Sequence, residues 1–192
     1  MKLLLLAIVM TMSSGNARGD CFGIYSSPEQ YGCFLTLVEP PNYNSVYIFH
    51  KVNPGSIASQ FKVLDNSGLF FANASFNLSF LVLGTYNTDL SISYTQCLFG
   101  DVLVGTLNYF WFGNPITGCD SWLSIVAAPT SPIPGSIAVA DCATPRGLRT
   151  GYSGWPFHFG ADAGSCEFDC GCEHHETPIA ASTWGAVKAL YR

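Results

Sequence analysis

The chain has 192 residues, of which 48% are apolar and 11% charged, with a formal charge of −5. Soluble domains usually carry roughly 25% charged residues, so this composition excludes intrinsic disorder and argues against a helical bundle with a Glu- and Lys-rich surface. No Lys or Arg lies between Lys62 and Arg146, which excludes the clustered cations that nucleic-acid binding needs.

Lys2 is followed by the apolar run Leu3 to Met10 and then by small polar residues including Ser13, Ser14, Gly15 and Ala17. This order of charge, apolar core and small-residue exit predicts a secretory signal peptide over residues 1–17, cut after Ala17. The alternative cut is after Gly19. Arg18, Gly19 and Asp20 are the wrong residues to precede a lipidated Cys21. No stretch approaches the ~18 apolar residues of a spanning helix, so a secreted or periplasmic protein with no transmembrane segment is expected.

Eight cysteines follow: Cys21, Cys33, Cys97, Cys119, Cys142, Cys166, Cys170 and Cys172. An even count in an exported chain reads as disulfides. The short loops favour Cys21 with Cys33 and Cys119 with Cys142, leaving Cys97 with the C-terminal three.

Runs rich in β-branched and aromatic residues predict strands at 33–38, 45–52, 57–64, 76–83, 90–97, 102–112, 122–127 and 136–140. Turn clusters separate them, among them Asn53-Pro54-Gly55, Asp65-Asn66-Ser67-Gly68 and Pro132-Ile133-Pro134-Gly135. Ile57, Ser59, Phe61 and Val63 alternate with Ala58, Gln60, Lys62 and Leu64, the signature of a strand with one wet face. About eight short strands at ten-residue spacing predict an all-β protein over residues 18–172, an antiparallel β-sandwich of immunoglobulin-like or jelly-roll-like architecture. The Trp between paired cysteines that marks a true immunoglobulin domain is missing at the right spacing. Residues 173–192 read as a linker and a short amphipathic helix, with Ser182 or Thr183 as cap and Trp184, Val187 and Leu190 or Tyr191 as its apolar stripe. So short a helix docks on something or remains a flexible tail.

Four constellations carry possible chemistry. Cys166, Cys170, Cys172, His174 and His175 have metal-ligand chemistry, but the spacing matches no paired knuckle and export oxidises thiols, so disulfides beside a solvated His pair are the expectation. Ser153 and His158 lack the frame of a nucleophile elbow, and His50 reads as a half-buried sheet residue. Asp65, Asp89, Asp101, Asp120 and Asp141 are the carboxylates available for glycoside hydrolysis; all but Asp101 stand where aspartate usually bonds local backbone. No run of loop aspartates matches a calcium loop. The aromatic clusters supply Tyr109, Trp111, Trp122 and Trp155 as candidates for stacking on sugar, against the simpler expectation that they fill the core. The sequons at Asn73 and Asn77 matter only in a eukaryotic host.

Asp20 to Tyr25 with Cys33, the segments Asn53 to Val63 (NPGSIASQFKV) and Pro132 to Cys142 (PIPGSIAVADC), and the closing Thr183 to Arg192 (TWGAVKALYR) resemble a group of small exported bacterial β-sandwich proteins of unknown function. The resemblance spans most of the mature chain. It implies a bacterial, non-enzymatic secreted module and carries no catalytic or binding residues. Gln60 to Val63 and Gly105 to Phe110 are more distantly similar to strands of cohesin-type sandwiches. The expected function is a non-catalytic binding or structural extracellular component that needs no cofactor and meets a protein or carbohydrate surface, with self-association favoured by the weakly charged exterior. A carbohydrate-binding module is the alternative, and a hydrolase-type enzyme the third reading.

Overall fold

The computed structural model describes residues 19–160 apart from 115, 117 and 118. The expected signal peptide and the C-terminal linker and helix lie outside these residues, as do Cys166, Cys170, Cys172, His174 and His175. The described chain is all-β, an antiparallel β-sandwich. Its ten strands are β1 (Cys21–Tyr25), β2 (Phe34–Leu35), β3 (Asn42–Asn66), β4 (Phe70–Phe76), β5 (Leu81–Thr85), β6 (Asp89–Trp111), β7 (Trp122–Val126), β8 (Ile137–Asp141), β9 (Leu148–Ser153) and β10 (Phe157–Phe159).

Two long strands organise everything else. β3 joins the predicted strands 45–52 and 57–64, and β6 joins 90–97 and 102–112. Both were expected to break at Asn53-Pro54-Gly55 and near Gly100. Instead the two breakers face each other: Val52 pairs with Gly100, and pairing resumes at Ser56 with Leu98. Pro54 has no N–H to offer the ladder, and Gly100 takes the left-handed backbone at φ 73°. Both strands therefore bend together at a bulge, and neither reverses. The converse error lies at residues 76–83. There the chain turns, because the Asn77 side chain accepts the N–H of Ser79 at 3.1 Å and Phe80 N–H donates to the Asn77 carbonyl at 2.9 Å.

β3 also links the two layers. Its first part pairs with β6, β1 and β8, and β6 carries β4 and β5 on its other edge. Its last residues, Lys62 to Asn66, cross to the second layer and pair with β7, which continues to β10 and β2. Two pairings are parallel, β1 with β9 and β10 with β2. Between the layers lie Val46, Ile48, Phe61 and Val63 of β3, Leu107 and Tyr109 of β6, Leu123 and Ile125 of β7, and Phe157 and Phe159 of β10. The alternation read at 57–64 holds, with Ser59, Phe61 and Val63 inward.

β1, β9, β8 and β3 pair in a closed circuit, since β1 and β8 both return to β3. Such a narrow ring leaves no room for a side chain at Gly151. A Cβ there would stand 3.0 Å from the Phe22 ring, 3.1 Å from Val139 and 3.2 Å from Ile137. Gly151→Val should therefore destabilise the fold by about 1–3 kcal/mol through overpacking. Urea unfolding of the variant checks this.

Candidate functional site

The outward face of the β3–β6–β4 ribbon carries an aromatic row. Tyr43 pairs with Phe110, and Phe110 with Phe70, so three strands place aromatic side chains on one rung. Phe112 follows two residues along. Ring centroids are 4.9 Å apart for Tyr43 and Phe110, 6.0 Å for Phe110 and Phe112, and 6.2 Å for Phe70 and Phe112. All four are exposed, at 47% for Tyr43, 61% for Phe70, 37% for Phe110 and 67% for Phe112. The next rung is polar: Ser45 donates to the Asn108 side-chain carbonyl and Asn108 donates to that of Asn73, both at 2.7 Å. Strand alternation explains the sorting. Within Tyr109-Phe110-Trp111-Phe112 the even members point outward and Tyr109 points inward.

The residues read from sequence as sugar-stacking candidates are therefore dispersed. Tyr109 is a correction: it is fully buried, and its hydroxyl donates to Asp65 at 2.9 Å. Trp111 is half-buried and bonded to the Asn114 carbonyl at 2.8 Å. Trp122 pairs with His158 across β7 and β10 and lines, with Leu64 and Pro156, a cleft of about 270 Å³. Trp155 is exposed, on the turn before β10. Sequence reading placed Phe110 and Phe112 in an aromatic run without choosing them and missed Tyr43 and Phe70, which join them only through strand register.

The titratable groups lie inside. Burial pushes the hydroxyls of Tyr86 and Tyr109 up, with the Asp65 charge adding to it, and Tyr86 reaches about 12. A second network fills the β1–β9–β8–β3 ring. Asp20 Oδ1 accepts from Ser56 Oγ at 2.8 Å and from Asn53 N–H at 3.2 Å, and lies 3.1 Å from His50 Nε2. Asp20 Oδ2 stands 2.9 Å from Arg149 Nη2. The Arg149 guanidinium also donates to the carbonyls of Asn53 at 3.0 Å and Gly55 at 2.6 Å. On the other side of the imidazole, His50 Nδ1 is 2.7 Å from the Tyr94 hydroxyl, which is 2.6 Å from Ser59 Oγ. A carboxylate can only accept, so the neutral imidazole carries its proton on Nε2 and accepts from Tyr94 at Nδ1.

This Asp–His–Tyr–Ser chain has the parts of a relay and no access. His50, expected half-buried, is sealed, as are Tyr94 and Asp20. The phenyl ring of Phe22 stacks on the imidazole at 4.0 Å. Burial holds the His50 imidazole below its usual value of 6.5, outweighing the hydrogen bond and charge of Asp20 that raise it, with Arg149 lowering it further. His158 is lowered by burial too, against a hydrogen bond to the Cys119 backbone that raises it. The unfolded chain protonates these histidines as pH falls through 6.5, before the folded chain does. Their neutral burial therefore leaves stability intact above pH 6.5 and erodes it below. Denaturant unfolding between pH 7.5 and 5 should show stability falling as the pH drops below 6.5, with a slope of at most about 1.4 kcal/mol per pH unit from His50. A flat profile would contradict the closed ring.

Of the remaining catalytic candidates, Asp89, Asp101, Asp141 and Ser153 hold structural hydrogen bonds through their side chains. Asp141 bonds the N–H groups of Ala143 and Gly147 at 3.1 and 2.7 Å, Asp89 holds Gln60 at 2.8 Å and also Thr130, and Asp101 accepts from Gln30 at 3.1 Å. The Asp120 carbonyl accepts from Asn66 at 2.8 Å. Ser153 donates to the Gly154 carbonyl at 2.9 Å. Among the described residues no three His, Cys, Asp or Glu side chains gather as a metal site. A cleft of about 220 Å³ crosses the outer face between Leu81, Leu83, Pro132 and Leu148, floored by Ala58, Ser93 and Ala140.

One disulfide pairing is corrected. Cys142 is joined to Cys97, 5.8 Å away between Cα atoms, and not to Cys119. The short-loop rule failed because β6 and β8 both flank β3 at Ser56, which brings Cys97 near Cys142 across 45 residues of sequence. Cys21, Cys33 and Cys119 are also disulfide-bonded.

No family model matches the chain, and no curated protein is detectably similar to it. Among solved structures, a chain of a cohesin–dockerin complex is similar at 13% identity and a TM-score of 0.41, the match covering 73% of this chain and 96% of that one.

Proposed function

We propose that the chain is an exported, disulfide-braced, non-catalytic binding protein, and that its contact face is the patch of Tyr43, Phe70, Phe110 and Phe112. The proposal takes residues 1–17 as a leader removed near Ala17 and residues 18–172 as one sandwich domain. Four adjoining exposed aromatic rings carry this reading, because contiguous apolar surface rimmed by polar residues marks interaction sites. Aromatic residues are also enriched at protein interfaces. The sealing of His50, Tyr94 and Ser59 supports the non-catalytic part. Among the described residues no helix is long and apolar enough to cross a membrane.

A protein partner is favoured over a sugar by ring orientation. Tyr43 meets Phe110 at 65° and Phe70 meets Phe112 at 64°, while Phe110 and Phe112 alone are near parallel at 20°, so the four rings do not share the one coplanar platform that pyranose rings stack on. The second reading, a carbohydrate ligand, draws on the Ser45–Asn108–Asn73 row beside the patch.

The two readings separate in affinity electrophoresis through a panel of soluble polysaccharides, run on the full chain and on Phe110→Ser/Phe112→Ser. A protein-binding face predicts equal mobility of both in every gel. Retardation of the native chain that the double substitution removes would overturn the protein reading in favour of the sugar.

A further inference from the structure

Two apolar features of the large sheet are exposed and lie apart. The first is the aromatic patch, which ends at Phe112 just past β6, the most exposed of its four rings at 67%. The second is the cleft beside Leu81 and Leu83. Strand register explains its shape. One rung runs Leu81, Ser93, Ala58, Ala140 and Leu148 across β5, β6, β3, β8 and β9, so small side chains fill the middle between two leucines. The next rung runs Leu83, Ser91, Gln60 and Ala138. Its one amide is already satisfied, since Gln60 donates to Asp89 and to Thr130, both at 2.8 Å.

Size and charge say what fits there. A cavity of roughly 150 Å³ lined by apolar side chains holds a benzene ring. This cleft measures about 220 Å³, enough for one phenylalanine ring. No ionisable side chain lines it, and Phe70, Phe110 and Phe112 bring none. In a chain of net charge −5, two copies repel wherever carboxylates face each other, and these two surfaces escape that repulsion. A chain cannot fill its own cleft. About 33 Å of strand separates Tyr43 from the bulge at Asn53 at ~3.3 Å per residue, and the cleft begins at Ala58, beyond that bend.

We propose that the partner of the aromatic patch is a second copy of this chain, whose leucine cleft receives the Phe112 ring. The proposal rests on the reading of the patch as the contact face and adds its occupant. Patch and cleft are different surfaces, so the contact is head-to-tail, and each copy that gives its patch keeps a free cleft. Such a contact passes from copy to copy and does not stop at two. A buried aromatic anchor covers roughly 150–250 Å², well short of the roughly 1,200–2,000 Å² of a stable interface. The assembly therefore forms as concentration rises and reverses on dilution.

Sedimentation velocity of the purified chain tests this with two variants altered only at exposed positions, Phe110→Ser/Phe112→Ser in the patch and Leu81→Glu/Leu83→Glu in the cleft. The weight-average mass of the native chain should climb with concentration beyond that of two chains. Each variant alone should keep the mass of one chain, because each has lost one side of the contact. An equimolar mixture of the two should form pairs and nothing larger, since the intact patch of one meets the intact cleft of the other. A native chain that stays single, variants that associate as the native chain does, or a mixture that stays single would each overturn the head-to-tail contact. Photocrosslinking from position 112 in the producing cells separates this failure from failure of the patch itself. An adduct only to a different protein keeps the patch as a contact face and removes the second copy, whereas no adduct at all removes both.

Discussion

Asp20→Ala should lower the unfolding free energy by about 3–5 kcal/mol, the cost typical of removing one partner from a buried ion pair. Asp20 sits just before the first strand, yet it is the acceptor on which the ring converges. Its carboxylate receives Ser56, Asn53 and His50 and faces Arg149. Alanine would leave the guanidinium charge with only neutral acceptors, the Asn53 and Gly55 carbonyls and Ser56 Oγ, and would leave the His50 N–H with no carboxylate. For a domain of this size the melting temperature should fall by on the order of 10 °C or more. The pairing itself is tested by a cycle with Arg149→Met. If charge burial is the cause, the double variant should be less damaged than the sum of the two single losses. A loss below about 1 kcal/mol for Asp20→Ala would mean that the ring is solvated.

The second large effect is expected at the Cys97–Cys142 disulfide. Cys97→Ala/Cys142→Ala releases a loop of 45 residues, which the chain-entropy model values at about 4 kcal/mol. The denaturant midpoint should fall accordingly with little change in the native circular dichroism. An unchanged midpoint would show that the bridge adds nothing to the packed strands. This bridge and the Asp20 network are not independent. The Cys97 sulfur lies beside Gly55, 3.2 Å from where a Cβ would stand, and the Gly55 carbonyl is an acceptor for Arg149. Both features hold the bulge at Asn53 to Ser56, so combining the substitutions should give a loss that departs from additivity.

Local sequence pattern carried the fold class because alternation and turn chemistry are local. The inward set Ser59, Phe61 and Val63 was legible from period two alone. What pattern could not show was pairing. Asn53-Pro54-Gly55 and Gly100 are strong breakers taken singly, and only their registry across β3 and β6 turns two stops into one bend. Strands β1 and β9 were hidden for a related reason: each is short and Gly-containing, and becomes a strand by closing the ring. The candidate site was half legible. Outward and inward aromatics alternate in Tyr109 to Phe112, but nothing in the sequence says that Tyr43 and Phe70 stand on the same rung as Phe110. Asp20 could not be recognised as a core residue, since a charged side chain just before a first strand ordinarily faces water. Its partners lie 30 or more residues away.

On the proposed reading partner contact falls at the aromatic patch, while His50, Tyr94 and Ser59 stay sealed in the core. Several other large apolar side chains are exposed, including Phe99 at 67% and Trp155 at 42%, and they provide matched controls. The most direct measurement is site-specific photocrosslinking with benzoylphenylalanine placed singly at Phe110, Phe112, Phe99 and Trp155, in the cells that make the protein. Discrete crosslinked protein adducts from Phe110 and Phe112, with none from Phe99 or Trp155, are the predicted result. Adducts from Phe99 or Trp155 alone, or none from any position, would contradict it.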